Sequence, residues 1–193
     1  MHPARTESHS MQAPLLAYRV LFPLATVFAL TAIPLWLILR AGHTAAASGS
    51  WHGHEMLFGF ALAVIAGFLS TRPAHVATWI LTGTWVAARV AAATASGPLA
   101  FIVGTAFPVT VFIVTAPPLL AGAKRWENRI LPTILAGLVA ADAVWWAGKV
   151  WFGPLLQTRA LLAATDLIAL LLLLVGGRAL RAAVGGHLER QGT

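Results

Sequence analysis

Six apolar runs, separated by short polar or glycine- and proline-rich breaks, divide the chain between residues 20 and 175. A helix needs roughly 20 predominantly apolar residues to cross the hydrocarbon of a bilayer, and each run approaches or meets that length. The breaks predict helices over 20–39, 51–71, 75–95, 99–121, 130–150 and 158–175. Pro108 and the pair Pro117–Pro118 predict a kink or an early end in the fourth. The fold class is therefore all-α: a polytopic transmembrane bundle of about six helices over residues 18–180. Residues 1–17 read as a disordered tail and 181–193 as a basic one. Ala45 to Ala47 resembles a signal-peptidase site, but the long preceding tail and a proline near each end of the first run favour a retained helix.

The pattern is most informative at 51–71, WHGHEMLFGFALAVIAGFLST. Trp51, His52, His54 and Glu55 gather at one mouth of an otherwise apolar helix. At about 100° per residue, His52, Glu55, Gly59, Ala63 and Gly67 share one sector, where small residues let a neighbouring helix approach. On that wheel His52 and Glu55 point into the bundle, and His54 points about 200° away.

Composition sharpens the class. The chain is 59% hydrophobic and 10% charged, far from a soluble domain of 193 residues. It has no cysteine, which removes disulfides, thiolate metal sites, iron–sulfur clusters and c-type haem attachment. The net charge of +7 is topological rather than a sign of nucleic-acid binding. With six helices, nine of the thirteen Lys and Arg residues share a side with both termini. The positive-inside rule then makes the termini cytoplasmic and puts the histidine mouth on the outer side. Arg89, Asp142 and Asp166 fall in the same outer half.

Charges within a bilayer cost at least about 2.5–3.5 kcal/mol each on insertion scales, so they are paired or functional. Glu55, Asp142, Asp166 and Arg89 together carry a formal charge of −2, which calls for two protons or for cations beside them. Arg89 pairing with Asp142 or Asp166 as structural glue is the plain reading. Under the sharper one the carboxylates orient histidine ligands, or carry protons. Imidazole is the natural neutral ligand here, and His52 and His54 are the candidates, with His43 a third donor one loop back. Their i, i+2 spacing serves two sites, or a single site if the helix begins at or after His54. Trp36, Trp51, Trp145, Trp146 and Trp151 read as an aromatic belt at the outer interface. Arg40, Lys149 and Arg159 read as snorkelling cations or as partners for haem propionates. No phosphate loop, nucleophile elbow or HExxH pattern is present, so hydrolase and kinase chemistry has no support.

WHGHEMLFGFALAVIAGFL at 51–69 resembles the signature of the NnrS family of bacterial inner-membrane proteins. FPLATVFALTAIPLWL, RILPTILAGLVAADAVWW and RALLAATDLIALLLLLVGGR resemble it too, and Arg89 sits where the family carries an arginine. The likeness runs from about residue 18 to residue 181. It implies haem b, with copper, in a membrane protein of nitric oxide response, detoxification or electron transfer. His52, His54 and Glu55 match the motif's functional positions, with Arg89 at the cofactor and Asp142 and Asp166 behind it. Members of that family are longer, with a second set of helices, and this chain resembles their N-terminal half. The VPNWTG-like turn after their second helix is replaced here by Thr71, Arg72, Pro73, Ala74 and His75. A homo-oligomer, or service as a subunit of a respiratory complex in the lipid bilayer, is the resulting expectation. A proton- or metal-coupled transporter and a cofactor-free accessory subunit are the rival readings.

Overall fold

The computed structural model describes residues 16–42, 48–70, 75–121 and 127–190. Most of the 1–17 tail, the loop with His43 and Ala45 to Ala47, the return at Arg72 and Pro73, the charged segment Lys124 to Trp126 and the last three residues lie outside them. Six helices among the described residues are long and apolar enough to cross a membrane. They are α1 (Tyr18–Ala41), α2 (Gly49–Leu69), α3 (His75–Thr94), α4 (Gly97–Ala121), α5 (Glu127–Ala147, continued by the turn Gly148–Phe152) and α6 (Pro154–Arg190).

Each expected span is present, with two differences. α4 does not end at its prolines and runs unbroken to Ala121. Membrane helices tolerate proline because neighbouring helices and side chains re-satisfy the freed backbone groups. α6 continues past its expected end near Val175 to Arg190. Glycine closes two of the turns: Gly97 (φ 73°) leads into Pro98 of α4, and Gly153 (φ 89°) leads into Pro154 of α6. Both need the left-handed backbone that glycine adopts without strain, and proline suits the first helical turn.

Consecutive helices from α3 to α6 pack side by side, and α2 touches α1, α3, α4 and α6. Half of the apolar window of α2 and of α5 is buried, against 17% for α1 and 22% for α6. α2 and α5 are therefore the central pair. The small residues of α2 do meet a neighbour: Gly59 lies under Phe28 and Gly67 under Phe22, both on α1. On the other side of the bundle the Trp146 ring of α5 lies directly across Gly104 of α4, where no Cβ would fit.

Two stretches widen from α to π winding, Glu55–Ala61 in α2 and Gly148–Phe152 in α5. Single π turns inside α-helices often mark functional sites. Both lie towards the same end of the bundle, the end that carries His52, and this is where its polar side chains collect.

Candidate functional site

α2 begins with a built cap. Ser48 is extended, and its side chain accepts the Trp51 backbone N–H at 3.1 Å. Ser50 then ties three helices together: it donates to Gln157 Oε1 of α6 at 2.6 Å and accepts Trp145 Nε1–H of α5 at 3.0 Å. These bonds fix the rotation of α2, and with it the directions of His52, His54 and Glu55.

His54 is wholly buried, contrary to the outward direction read from the wheel. Its Nε2 lies 2.7 Å from Asp142 Oδ1 of α5, and its Nδ1 lies 3.2 Å from Glu55 Oε1. Glu55 Oε2 in turn accepts Arg89 Nη1–H of α3 at 2.8 Å. Asp142, His54, Glu55 and Arg89 thus form one chain across three helices, with the first three no more than 1% exposed and Arg89 at 9%. Arg89 pairs with Glu55, not with either aspartate.

The chain's proton content follows from its geometry. A carboxylate only accepts, so an imidazole between two carboxylates needs a proton on each contact. Either His54 is an imidazolium, or it is neutral beside one protonated carboxyl. In both cases one proton beyond the Arg89 charge brings the chain to a formal charge of zero. Neutrality in so dry a place is the arrangement that leaves no buried charge uncompensated. No metal cation is needed to achieve it.

Aromatic rings seal the chain. His54 stacks on Trp145 at 3.7 Å and 18°, and meets Trp146 edge-on at 5.7 Å. Trp145 and Trp146 are buried, and do not join an interfacial belt, whereas Trp151 is 53% exposed as a belt residue would be. Asp142, Trp145 and Trp146 stand at i, i+3 and i+4 on one face of α5, a spacing that could have linked them from sequence. Trp85 of α3 donates to the Gly59 carbonyl within the π-wound stretch at 2.8 Å. Lys149 folds inward and does not snorkel: its Nζ donates to Ala92 O at 2.9 Å and lies 4.8 Å from the Trp146 ring centre.

His52 has a different setting. It is half-buried and stacks on Trp36 of α1 at 4.3 Å and 17°, with the Arg40 guanidinium 5.4 Å from the same Trp36 ring. Its Nδ1 is buried without a hydrogen-bond partner among the described residues. Asp142 Oδ2 and Arg89 Nε and Nη2 are also buried and unpaired.

The residues singled out in sequence therefore divide. His54, Glu55, Arg89 and Asp142 are brought together; His52 stands beside them with its own partners; Asp166 is exposed on α6 and does not join. His43 lies outside the described residues. Ser50, Gln157 and Trp85, which sequence reading passed over, hold the frame; an isolated serine, glutamine or tryptophan carries no periodic signal that would have flagged it.

The donor set can be tested against the groups that the motif implies. Both nitrogens of His54 are committed to carboxylates, so it has no lone pair free for a metal without dismantling the chain. His52 has a ring nitrogen without a hydrogen-bond partner, so of the two histidines it is the one that would be able to ligate haem iron. No group of three or more His, Asp or Glu side chains placed to hold a metal ion exists among the described residues, so copper finds no multi-ligand site there.

A family model described as NnrS protein matches residues 14–192. Nothing matches among curated proteins or among solved structures.

Proposed function

Given that the chain belongs to the NnrS family, we propose that it is a membrane haem protein acting in the response to nitric oxide, with His52 as the iron ligand. One observation carries the choice of residue: the His52 ring has a nitrogen without a partner, while both nitrogens of His54 are taken. Trp36 stacked on His52 holds the imidazole plane, and Arg40 beside Trp36 supplies a cation suited to a propionate. His52 would hold the haem, which when bound would supply nitric oxide binding or single-electron transfer. The part of the buried chain is positional: Asp142 and Glu55 hold His54, and His54 holds the first turns of α2 from which His52 projects. Copper is left out of the proposal, because no group of three or more His, Asp or Glu side chains among the described residues is placed to hold it.

The test is an optical spectrum of the protein purified from membranes and supplied with haem, before and after nitric oxide. The expected result is a Soret band that shifts with nitric oxide and falls at least tenfold in His52→Ala. Arg40→Gln should keep the band and weaken haem retention. A colourless protein, or a band unchanged in His52→Ala, would overturn the reading and favour a cofactor-free member of a membrane complex.

A further inference from the structure

The embedded acids and Arg89 sum to −2, and the buried chain accounts for only one of the two missing positive charges. The other belongs to Asp166. This residue lies at the midpoint of the apolar span Pro154–Gly177 and is exposed on the outer surface of the bundle. The inward face of α6 is the stripe Ala160, Ala164, Ile168 and Leu171, all buried. Asp166 projects from the opposite face, between exposed Leu162 and Leu173 and flanked by the small residues Ala163 and Ala169. Intramembrane carboxylates normally face a bundle interior, a partner or a water-filled cavity. This one faces where lipid would be.

Among the described residues Asp166 has no ion pair. Arg159 shares its face but is seven residues nearer the start of α6, about 10 Å away, and helical side chains lean towards that start. Lys149 is bound to Ala92 O, and Arg89 to Glu55. Arg129 of α5 lines a cavity together with Leu167 and Leu170, the latter one turn beyond Asp166, but forms no ion pair with it. A second copy has the same deficit. Two parallel copies packed symmetrically on this face would set Asp166 against its own equivalent, carboxylate to carboxylate.

We infer that the outward face of α6 around Asp166 docks a transmembrane helix of a different protein, one that carries a Lys or Arg near the middle of the bilayer. The side chains agree with such an occupant. Ala163 and Ala169 let a helix backbone come close beside the carboxylate, and the leucines above and below supply apolar packing. An Arg or Lys at that depth meets the same desolvation cost as Asp166, and pairing removes both costs together. This inference is independent of haem and of His52.

The test uses the full chain in phosphatidylcholine vesicles with synthetic polyleucine transmembrane peptides whose central residue is Lys or Leu. Energy transfer between labelled protein and labelled peptide reports association. The central-Lys peptide should associate at least tenfold more strongly than the central-Leu peptide, and Asp166→Asn should abolish that difference. Thr165→Val, one residue off the face, should retain it. Equal association of the two peptides, or a preference for Lys that survives Asp166→Asn, would overturn the inference. So would energy transfer between copies of the chain that disappears in Asp166→Asn, since a second copy would then be the occupant.

Discussion

Asp142 and Asp166 are both aspartates within membrane-spanning helices of one protein, and they have opposite surroundings. Asp142 is fully buried with its charge answered by His54 2.7 Å away, whose ring is flanked by Trp145 and Trp146. Asp166 stands in the open on the outer face of α6 with no ion pair among the described residues. The difference teaches how the two acids are tied to the fold. At Asp142 three helices depend on the carboxylate, so it is part of what positions α2. At Asp166 no ion pair forms among the described residues, which is what the proposed external partner is argued from.

That contrast can be broken most forcefully at the buried acid. Asp142→Ala leaves His54 without its second carboxylate and opens a void at a fully buried position. Breaking one partner of a buried pair costs about 3–5 kcal/mol, and the expected outcome is loss of the folded protein at temperatures the parent survives, read as thermal unfolding in detergent. An Asp142→Ala protein as stable as the parent would mean that the chain of contacts is not what holds α2 to α5.

A smaller effect separates pairing from mere burial. Arg89→Leu and Glu55→Leu each strand a charge, whereas the double variant removes both. Neighbours in one network couple by about 0.5–3 kcal/mol, so the double variant should be destabilised by less than the two single variants added together. Strict additivity in the unfolding midpoints would show that Glu55 and Arg89 do not act as a pair.

The smallest effect belongs to the exposed acid. Asp166→Asn in the isolated protein should leave the unfolding midpoint where it was, because no described residue bonds to that side chain. A clear loss of stability there would place Asp166 among the internal supports and erase the contrast with Asp142.

Much of the architecture was legible from the order of residues. The length of each apolar run sets a span, because a helix in lipid must keep its backbone bonded over the whole hydrocarbon thickness. The small residues Gly59 and Gly67 marked where α1 closes on α2. Alternating helix directions put Glu55, Arg89 and Asp142 in the same half of the membrane, together with Asp166, which the structure leaves out of the cluster. The sum of −2 called for protons or cations without saying where; the structure divides the acids between a bonded set, Glu55 and Asp142, and Asp166, which has no ion pair among the described residues.

What the sequence left open was direction around each helix, and the reason is physical. In water a helix has one dry face, and the polar residues point away from it. In a bilayer both the lipid side and the core side are apolar, so the pattern of leucines and alanines does not distinguish them. The wheel for α2 assumed one buried face and sent His54 outward. Only the packing made α2 central, touching α1, α3, α4 and α6 and bonded through His54 to α5, so that both His54 and Glu55 are inside. The same ambiguity hid Asp166, whose helix is rich in leucine all round; packing turned Ala160, Ala164, Ile168 and Leu171 inward, and this left Asp166 facing out. The sequence by itself determined a six-span membrane protein with a polar end. Tertiary structure decided which of its acids are answered from within, because that depends on which faces neighbouring helices cover.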